Sequence, residues 1–97
     1  MRVLSQNGKF DFPYEQVCLN INKNSETSFR IYAWHSLSDS NDSCYLMAEY
    51  STEAKARKAM EMLREKYSTL RMQMERANKI KFFTALFQFP ADNEVED

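Results

Sequence analysis

Few side chains in this 97-residue chain combine the residue types and the spacing that catalysis or metal binding requires. Nucleophilic catalysis needs a nucleophile, a base and a group that orients the base. The single histidine, His35, has no recognisable partner motif, and the lone Gly8 excludes glycine-rich phosphate loops of the usual kinds. Cys18 and Cys44 have no second ligand at metal-binding spacing. The sequence therefore predicts a protein that is not an enzyme and holds no metal or cofactor.

The cellular compartment follows from the cysteines and from the apolar runs. Cys18 and Cys44 lie in apolar, strand-like contexts, which predicts two small, reduced core residues. The N-terminal residues turn polar too early for a secretory signal, and no apolar run has the length of a membrane span. We expect a cytoplasmic protein without membrane association.

Basic side chains concentrate in one part of the chain. Residues 53–81 carry nine basic and four acidic side chains, whereas residues 82–97 carry four acidic and no basic ones. Arg57, Arg64 and Arg71 recur every seven residues, which keeps them on one flank of a helix. Two interpretations remain open. The flank is either solvated and partly paired with glutamates four residues further on, or it is a ridge that binds an anion or a nucleic acid.

The first half of the chain is predicted to form the β-strands of the fold. Asn7-Gly8 between two strand-like runs predicts a hairpin with a type I′ turn. Alternation of apolar and polar side chains continues over residues 16–22, 29–37 and 44–50. Short runs on such tight spacings predict an antiparallel meander of about four or five strands.

After the strands the apolar period changes from two to 3.6 residues, with Ser51 as the predicted N-cap. The apolar stripe keeps its phase across Ser68, which favours one continuous helix over residues 52–78 rather than two helices broken near Ser68. The predicted fold is α+β, with this helix packed across the meander and a C-terminal return strand over residues 82–89. The stripe comprises Ala56, Ala59, Met60, Leu63, Tyr67, Leu70, Met74 and Ala77.

The length of the chain predicts a single domain over residues 1–90. Residues 91–97 are acidic and are expected to form a frayed tail. A helix of about 40 Å exceeds what so small a domain covers. Leu70, Met74 and Ala77 would then be covered either by the returning C-terminal strand or by a second copy. We favour the homodimer, because the residues after the helix contain no glycine or proline to ease a reversal.

One face of a predicted strand is aromatic. Tyr32 and Trp34 share it with Arg30, and Tyr45 and Met47 are expected beside them on a neighbouring strand. The outer face of a sheet covered by one helix is normally polar. The aromatic face is therefore either a binding surface or the site where the C-terminal segment packs.

Two methionines fall outside the apolar stripe of the helix. Met62 lies well off the stripe, and Met72 lies nearly opposite to it. Exposed methionines suit an adaptable protein interface, although ordinary surface methionines are the alternative interpretation.

Several segments resemble a group of short proteins of low-GC Gram-positive bacteria, which prophages and other mobile elements often carry. The similar segments are residues 1–8 (MRVLSQNG), 13–15 (PYE), 47–53 (MAEYSTE), 58–64 (KAMEMLR) and 87–90 (FQFP). The resemblance implies a cytoplasmic protein linked to a mobile element. It assigns no function and no functional residues.

Taken together, these features predict a small binding protein that acts on another protein, such as a mobile-element-encoded regulator or inhibitor of a host system. The alternative is a nucleic-acid-binding accessory protein that uses the basic helix over residues 53–81. The predicted binding surface comprises Arg57, Arg64, Arg71, Tyr32, Trp34, Met62 and Met72.

Overall fold

The computed structural model describes residues 1–35, 44–76 and 85–96. These residues form an α+β fold with one α-helix, as the sequence predicts. The strands are β1 (Arg2–Leu4), β2 (Asp11–Pro13), β3 (Val17–Ser25), β4 (Ser28–His35), β5 (Cys44–Tyr50) and β6 (Leu86–Gln88), and the helix is α1 (Glu53–Arg76). Two short 3-10 turns, Tyr14–Gln16 and Asp92–Glu94, complete the described structure.

The strands are divided between two three-stranded sheets. β3, β4 and β5 form an antiparallel meander, and the other sheet has the order β2-β1-β6. β1 is antiparallel to β2 and parallel to β6, which is the predicted return strand. The meander therefore has three strands rather than four or five. A parallel partner requires a long crossover connection, and the chain between β1 and β6, which contains α1, provides one.

The N-terminal hairpin forms, but its turn differs from the predicted type I′ turn. Gly8 has a φ of +74°, whereas the φ of Asn7 is not positive. The Asn7 carboxamide oxygen instead accepts hydrogen bonds from the Ser5 hydroxyl at 2.6 Å and from the Lys9 backbone N–H at 2.9 Å. These local bonds hold the turn with only one left-handed residue, which is the glycine.

Helix α1 runs without a break through Ser68, as the unbroken apolar phase predicts. Its N-cap is Thr52, one residue after the predicted Ser51, because the Thr52 hydroxyl accepts a 3.1 Å hydrogen bond from the Lys55 backbone N–H. Within the described residues, no helix combines the length and the hydropathy that a membrane span requires.

The apolar stripe of α1 faces the core. Ala56, Ala59 and Leu63 are fully buried, and Met60 and Tyr67 pack at the edge of the same cluster. The Met74 side chain and Ala77 lie outside the described residues. The buried apolar residues are Met1, Val3, Ile31, Ala33, Met47, Ala48, Tyr50, Ala56, Ala59, Leu63, Phe87, Phe89 and Val95.

The return strand also changes the surroundings of α1. Met62 and Leu70 are half-buried against the core and share a groove with Phe87 of β6. The expectation that Met62 is exposed is therefore wrong, because the second sheet widens the apolar contact on the helix. Leu70 is packed within the chain, which removes part of the reason for the homodimer through Leu70, Met74 and Ala77.

The C-terminal residues are docked rather than frayed. Val95 is only 4% exposed, within the core cluster. The Asp92 carboxylate accepts a 2.7 Å hydrogen bond from the Ser51 backbone N–H and lies 3.5 Å from the Lys55 ammonium group. The expected frayed tail over residues 91–97 is thus wrong for residues 91–96. The acidic composition of this segment suggested a frayed tail. The segment is ordered because its carboxylates bind basic and N–H groups at the start of α1.

Candidate functional site

A continuous groove runs between α1 and β3. Its larger part has a volume of about 540 Å³, and an adjoining part has a volume of about 320 Å³. Leu19, Met60 and Arg64 line both parts, so the two form one surface. We call this surface the α1–β3 groove. Its remaining lining residues are Tyr14, Val17, Asn20, Ile21, Lys23, Phe29, Glu53, Arg57 and Leu63.

The groove exists because β3 is an edge strand. The order β3-β4-β5 leaves one side of β3 without a neighbouring strand among the described residues. Alternation directs Val17, Leu19 and Ile21 towards α1, where they are half-buried. In an antiparallel edge strand every second residue directs its N–H and C=O groups away from the sheet. The groove therefore combines an apolar floor with a row of available backbone groups.

Arginines from α1 line the helical side of the groove. Arg57 and Arg64 are seven residues apart, which is about 10.5 Å along a helix axis. Arg57 forms a 2.8 Å ion pair with Glu53, one turn earlier. Arg64 is exposed and has no hydrogen bond or ion pair with any residue that the structure describes. Lys23 lies on the opposite side and forms a 3.1 Å ion pair with Glu26. Of the three basic groups that line the groove, only Arg64 has no ion pair among the described residues.

Arg71, the third arginine of the predicted ridge, lies outside the α1–β3 groove. It lies close enough to Tyr67 to lower the pKa of that side chain, although burial, the largest effect, and the charge of Glu15 raise it overall. The Tyr67 ring packs on the Tyr14 ring with a centroid distance of 4.5 Å. The structure thus brings Arg57 and Arg64 together on one groove and leaves Arg71 exposed beyond its end.

The predicted aromatic face is the other side of the β3-β4-β5 sheet. Tyr32 and Trp34 are half-buried there, with ring centroids 6.4 Å apart. The Arg30 guanidinium donates to the Tyr32 hydroxyl at 3.3 Å, which is the main reason that the pKa of Arg30 is raised. Arg30 also forms a 3.1 Å ion pair with Glu49. Polar contacts therefore border the aromatic pair on one side.

A bulge in β5 changes the neighbours of the aromatic pair. The register between β4 and β5 shifts between Ile31 and Tyr32, which leaves Met47 as the extra residue. Met47 is consequently buried, and the Tyr45 ring packs on Phe10 at 5.1 Å. The expectation that Tyr45 and Met47 lie beside Tyr32 and Trp34 is wrong, because one extra residue reverses which side chains face the core.

Instead, both cysteines lie on the aromatic face. Cys18 of β3 and Cys44 of β5 pair with Trp34 from either side, and both are exposed, free thiols. The prediction of buried core cysteines is therefore wrong. Two strand spacings separate their Cα atoms by about 9.5 Å, which is beyond the reach of a disulfide. In the described part of the C-terminal segment, Phe87, Phe89 and Val95 pack in the core cluster.

The other predicted site residues are dispersed. Met72 is 61% exposed and lines neither part of the groove. Met62 borders a different groove with Leu70 and Phe87. Sequence reasoning missed Lys23 and the apolar floor, represented by Leu19. The alternation over residues 16–22 was visible in the sequence, but the edge position of β3 was not.

Comparisons with known proteins do not assign the site. Protein-family models, curated proteins and solved structures all give no match to this chain. Within residues 1–35, 44–76 and 85–96, no group of three or more His, Cys, Asp or Glu residues is placed to hold a metal ion. The geometry and charge of the α1–β3 groove are therefore the basis for the function proposed below.

Proposed function

We propose that this protein is a non-enzymatic binding protein that acts on another protein through the α1–β3 groove. The single observation that carries this proposal is the edge of β3, which has no neighbouring strand among the described residues. Edge strands usually carry charges, prolines or bulges that prevent pairing with another chain. Residues 17–22 (VCLNIN) have no charge and no proline, and the register irregularity of β3 comes only after Lys23.

The groove offers two kinds of contact at once. Main-chain groups of an edge strand provide affinity for an extended segment, and pockets beside the strand select its side chains. Leu19 and Ile21 supply the apolar pockets, and Arg64 supplies a charge with no ion pair among the residues that the structure describes. The proposed partner therefore adds a strand to the sheet.

The resemblance to proteins of prophages and mobile elements supports a cellular setting for this activity. A small protein of this kind is a regulator or an inhibitor of a host system in the cytoplasm. Binding of one extended segment is sufficient for either role, since it sequesters that segment from its usual partner.

Nucleic-acid binding by the basic helix is the second candidate function. It is favoured by Arg64 and Arg71, which are both exposed and have no ion pair among the described residues. The apolar floor of the groove favours a protein partner, because duplex binding rests chiefly on phosphate contacts. Nuclease treatment distinguishes the two candidates, because it removes a nucleic-acid partner and leaves a protein partner intact.

Affinity capture from a native lysate, with and without nuclease, separates the two candidates.

Proline variants of β3 test whether the captured partner uses the edge of this strand. Adjacent residues of an edge strand direct their N–H groups to opposite sides, so only one of Asn20→Pro and Ile21→Pro disrupts the β3–β4 ladder. Circular dichroism identifies the variant that folds, and alanine at the same position (Asn20→Ala or Ile21→Ala) is the control that retains the N–H group. We expect a captured protein that survives nuclease, is retained by the control and is lost from the folded proline variant. Capture that disappears with nuclease would instead support the nucleic-acid function.

A further inference from the structure

We infer that the partner segment of the α1–β3 groove is an acidic extended strand, whose carboxylates pair with Arg57 and Arg64. This inference rests on the proposed function and adds the chemistry of the partner. The groove is lined by Lys23, Arg57 and Arg64. Glu26 pairs with Lys23 and Glu53 pairs with Arg57, which leaves the charge of Arg64 uncompensated among the described residues. Its charge thus favours an acidic segment and opposes a basic one.

Arg64 is the strongest reason for a carboxylate. Its guanidinium is exposed beside the apolar floor and has no partner in the described part of the chain. Arginine presents a planar set of donors that matches a carboxylate in a bidentate pair. Arg57 is shared with Glu53 at 2.8 Å, and an incoming carboxylate can use its remaining donors.

The spacing of the two arginines defines a pattern in the partner. Their separation of about 10.5 Å along α1 corresponds to about three residues of a strand at 3.3 Å per residue. Side chains on one face of a strand are two or four residues apart. The flexible arginine side chains can adjust to either distance, so we expect carboxylates at positions i and i+2 or i and i+4. Apolar residues on the same face would contact Leu19 and Met60.

A second copy of this chain is a poorer occupant of the groove. Antiparallel pairing of two β3 edges around a two-fold axis would place both helices on the same side of the joined sheet. Arg57 and Arg64 of one copy would then face the same arginines of the other, and like charges oppose association. Asp92, in the chain's own acidic C-terminal segment, is occupied elsewhere, because it is bound to Ser51 and lies beside Lys55.

Selection from a displayed library of random 12-residue peptides tests the inference directly. We expect peptides enriched on the full-length wild-type protein to alternate apolar residues and to carry two acidic residues at the predicted spacing. Selection on Arg64→Glu should replace one acidic position with a basic one. Affinity of a wild-type-selected peptide for Arg64→Glu, measured by fluorescence anisotropy, should fall by about 10-fold or more. Lys58→Glu is the matched control, since Lys58 is exposed and lines no part of the groove.

Other outcomes distinguish the two proposals. Neutral or basic peptides that still require the unmodified β3 edge would overturn the acidic partner and leave the binding function standing. Enriched peptides that bind equally well to the folded proline variant of β3 would overturn both the acidic partner and binding through the β3 edge. If no peptide of the library is enriched, the inference of an acidic partner strand is overturned. A doubled mass that returns to 11.5 kDa in the folded proline variant would identify a second copy as the occupant.

Discussion

Asp92 holds the C-terminal residues against the start of α1 through Ser51. Its carboxylate accepts hydrogen bonds from the Ser51 backbone N–H at 2.7 Å and from the Ser51 hydroxyl at 3.0 Å. The backbone bond from Ser51 is the main reason that the pKa of Asp92 is lowered. Lys55 adds a 3.5 Å ion pair. A negative charge is favourable here, because the N-terminus of a helix carries a partial positive charge.

Replacing Asp92 with asparagine should lower the free energy of unfolding by about 1 kcal/mol at neutral pH, in the range of a lost helix-terminal hydrogen bond. A lowered folded pKa means that folding favours the ionised carboxylate. The stabilisation is complete above the ordinary aspartate pKa of about 3.9 and is lost as the pH falls through the lower folded value.

Urea titrations of the wild type and Asp92→Asn between pH 3 and pH 7 measure this difference. It should shrink as the pH falls below about 4. Asn93→Ala, at an exposed neighbouring position, is the control and should leave stability unchanged. A wild type and Asp92→Asn of equal stability at pH 7 would show that the C-terminal residues do not depend on this contact.

Leu63 is the central core contact of α1. It is fully buried, so Leu63→Ala should lower the free energy of unfolding by about 2–5 kcal/mol, the usual range for a cavity in a core. Met72→Ala is the control at an exposed position of the same helix and should change stability by less than about 0.5 kcal/mol. Denaturant titration measures both variants. A loss below about 0.5 kcal/mol for Leu63→Ala would contradict the packing of the stripe.

The exposed cysteines should react with a thiol reagent in the folded state. Cys18 and Cys44 are free and exposed, and their separation prevents a disulfide within the chain. We expect a colorimetric thiol assay to count two thiols without denaturant, and one thiol in Cys18→Ser. Thiols that react only after unfolding would show that both cysteines are buried in the folded protein.

Duplex DNA should bind weakly or not at all at physiological salt. The basic residues of α1 are balanced by the acidic C-terminal residues, and the whole chain has a net charge of −1. Anisotropy titration of a labelled duplex over a range of salt concentrations measures this binding. Submicromolar affinity with a steep salt dependence would support the nucleic-acid function instead.

Local periodicity predicted the elements that depend on neighbouring residues. The stripe that includes Leu63 identified α1 and its continuity across Ser68, and Asn7-Gly8 identified the hairpin. The parallel pairing of β1 with β6 joins segments more than eighty residues apart, which no local pattern records. The bulge at Met47 also depends on the partner strand, and it reversed the predicted faces of β5.

The candidate site was predicted in part. The seven-residue spacing placed Arg57 and Arg64 together on one flank of the helix, and the structure places both on the α1–β3 groove. The free edge of β3 depends on the strand order of the sheet. Alternation over residues 16–22 indicates a half-buried strand, but it does not distinguish an edge strand from a central one.

Hydrogen–deuterium exchange of the β3 backbone amides tests the central claim most directly. Outward-facing N–H groups over residues 17–22 should exchange quickly in the free protein, because they have no strand partner among the described residues. A saturating peptide selected on the wild-type protein should slow their exchange by about 10-fold or more, since a new ladder protects them. Slowed exchange confined to α1 or β5, with the β3 amides unchanged, would contradict strand addition at the α1–β3 groove.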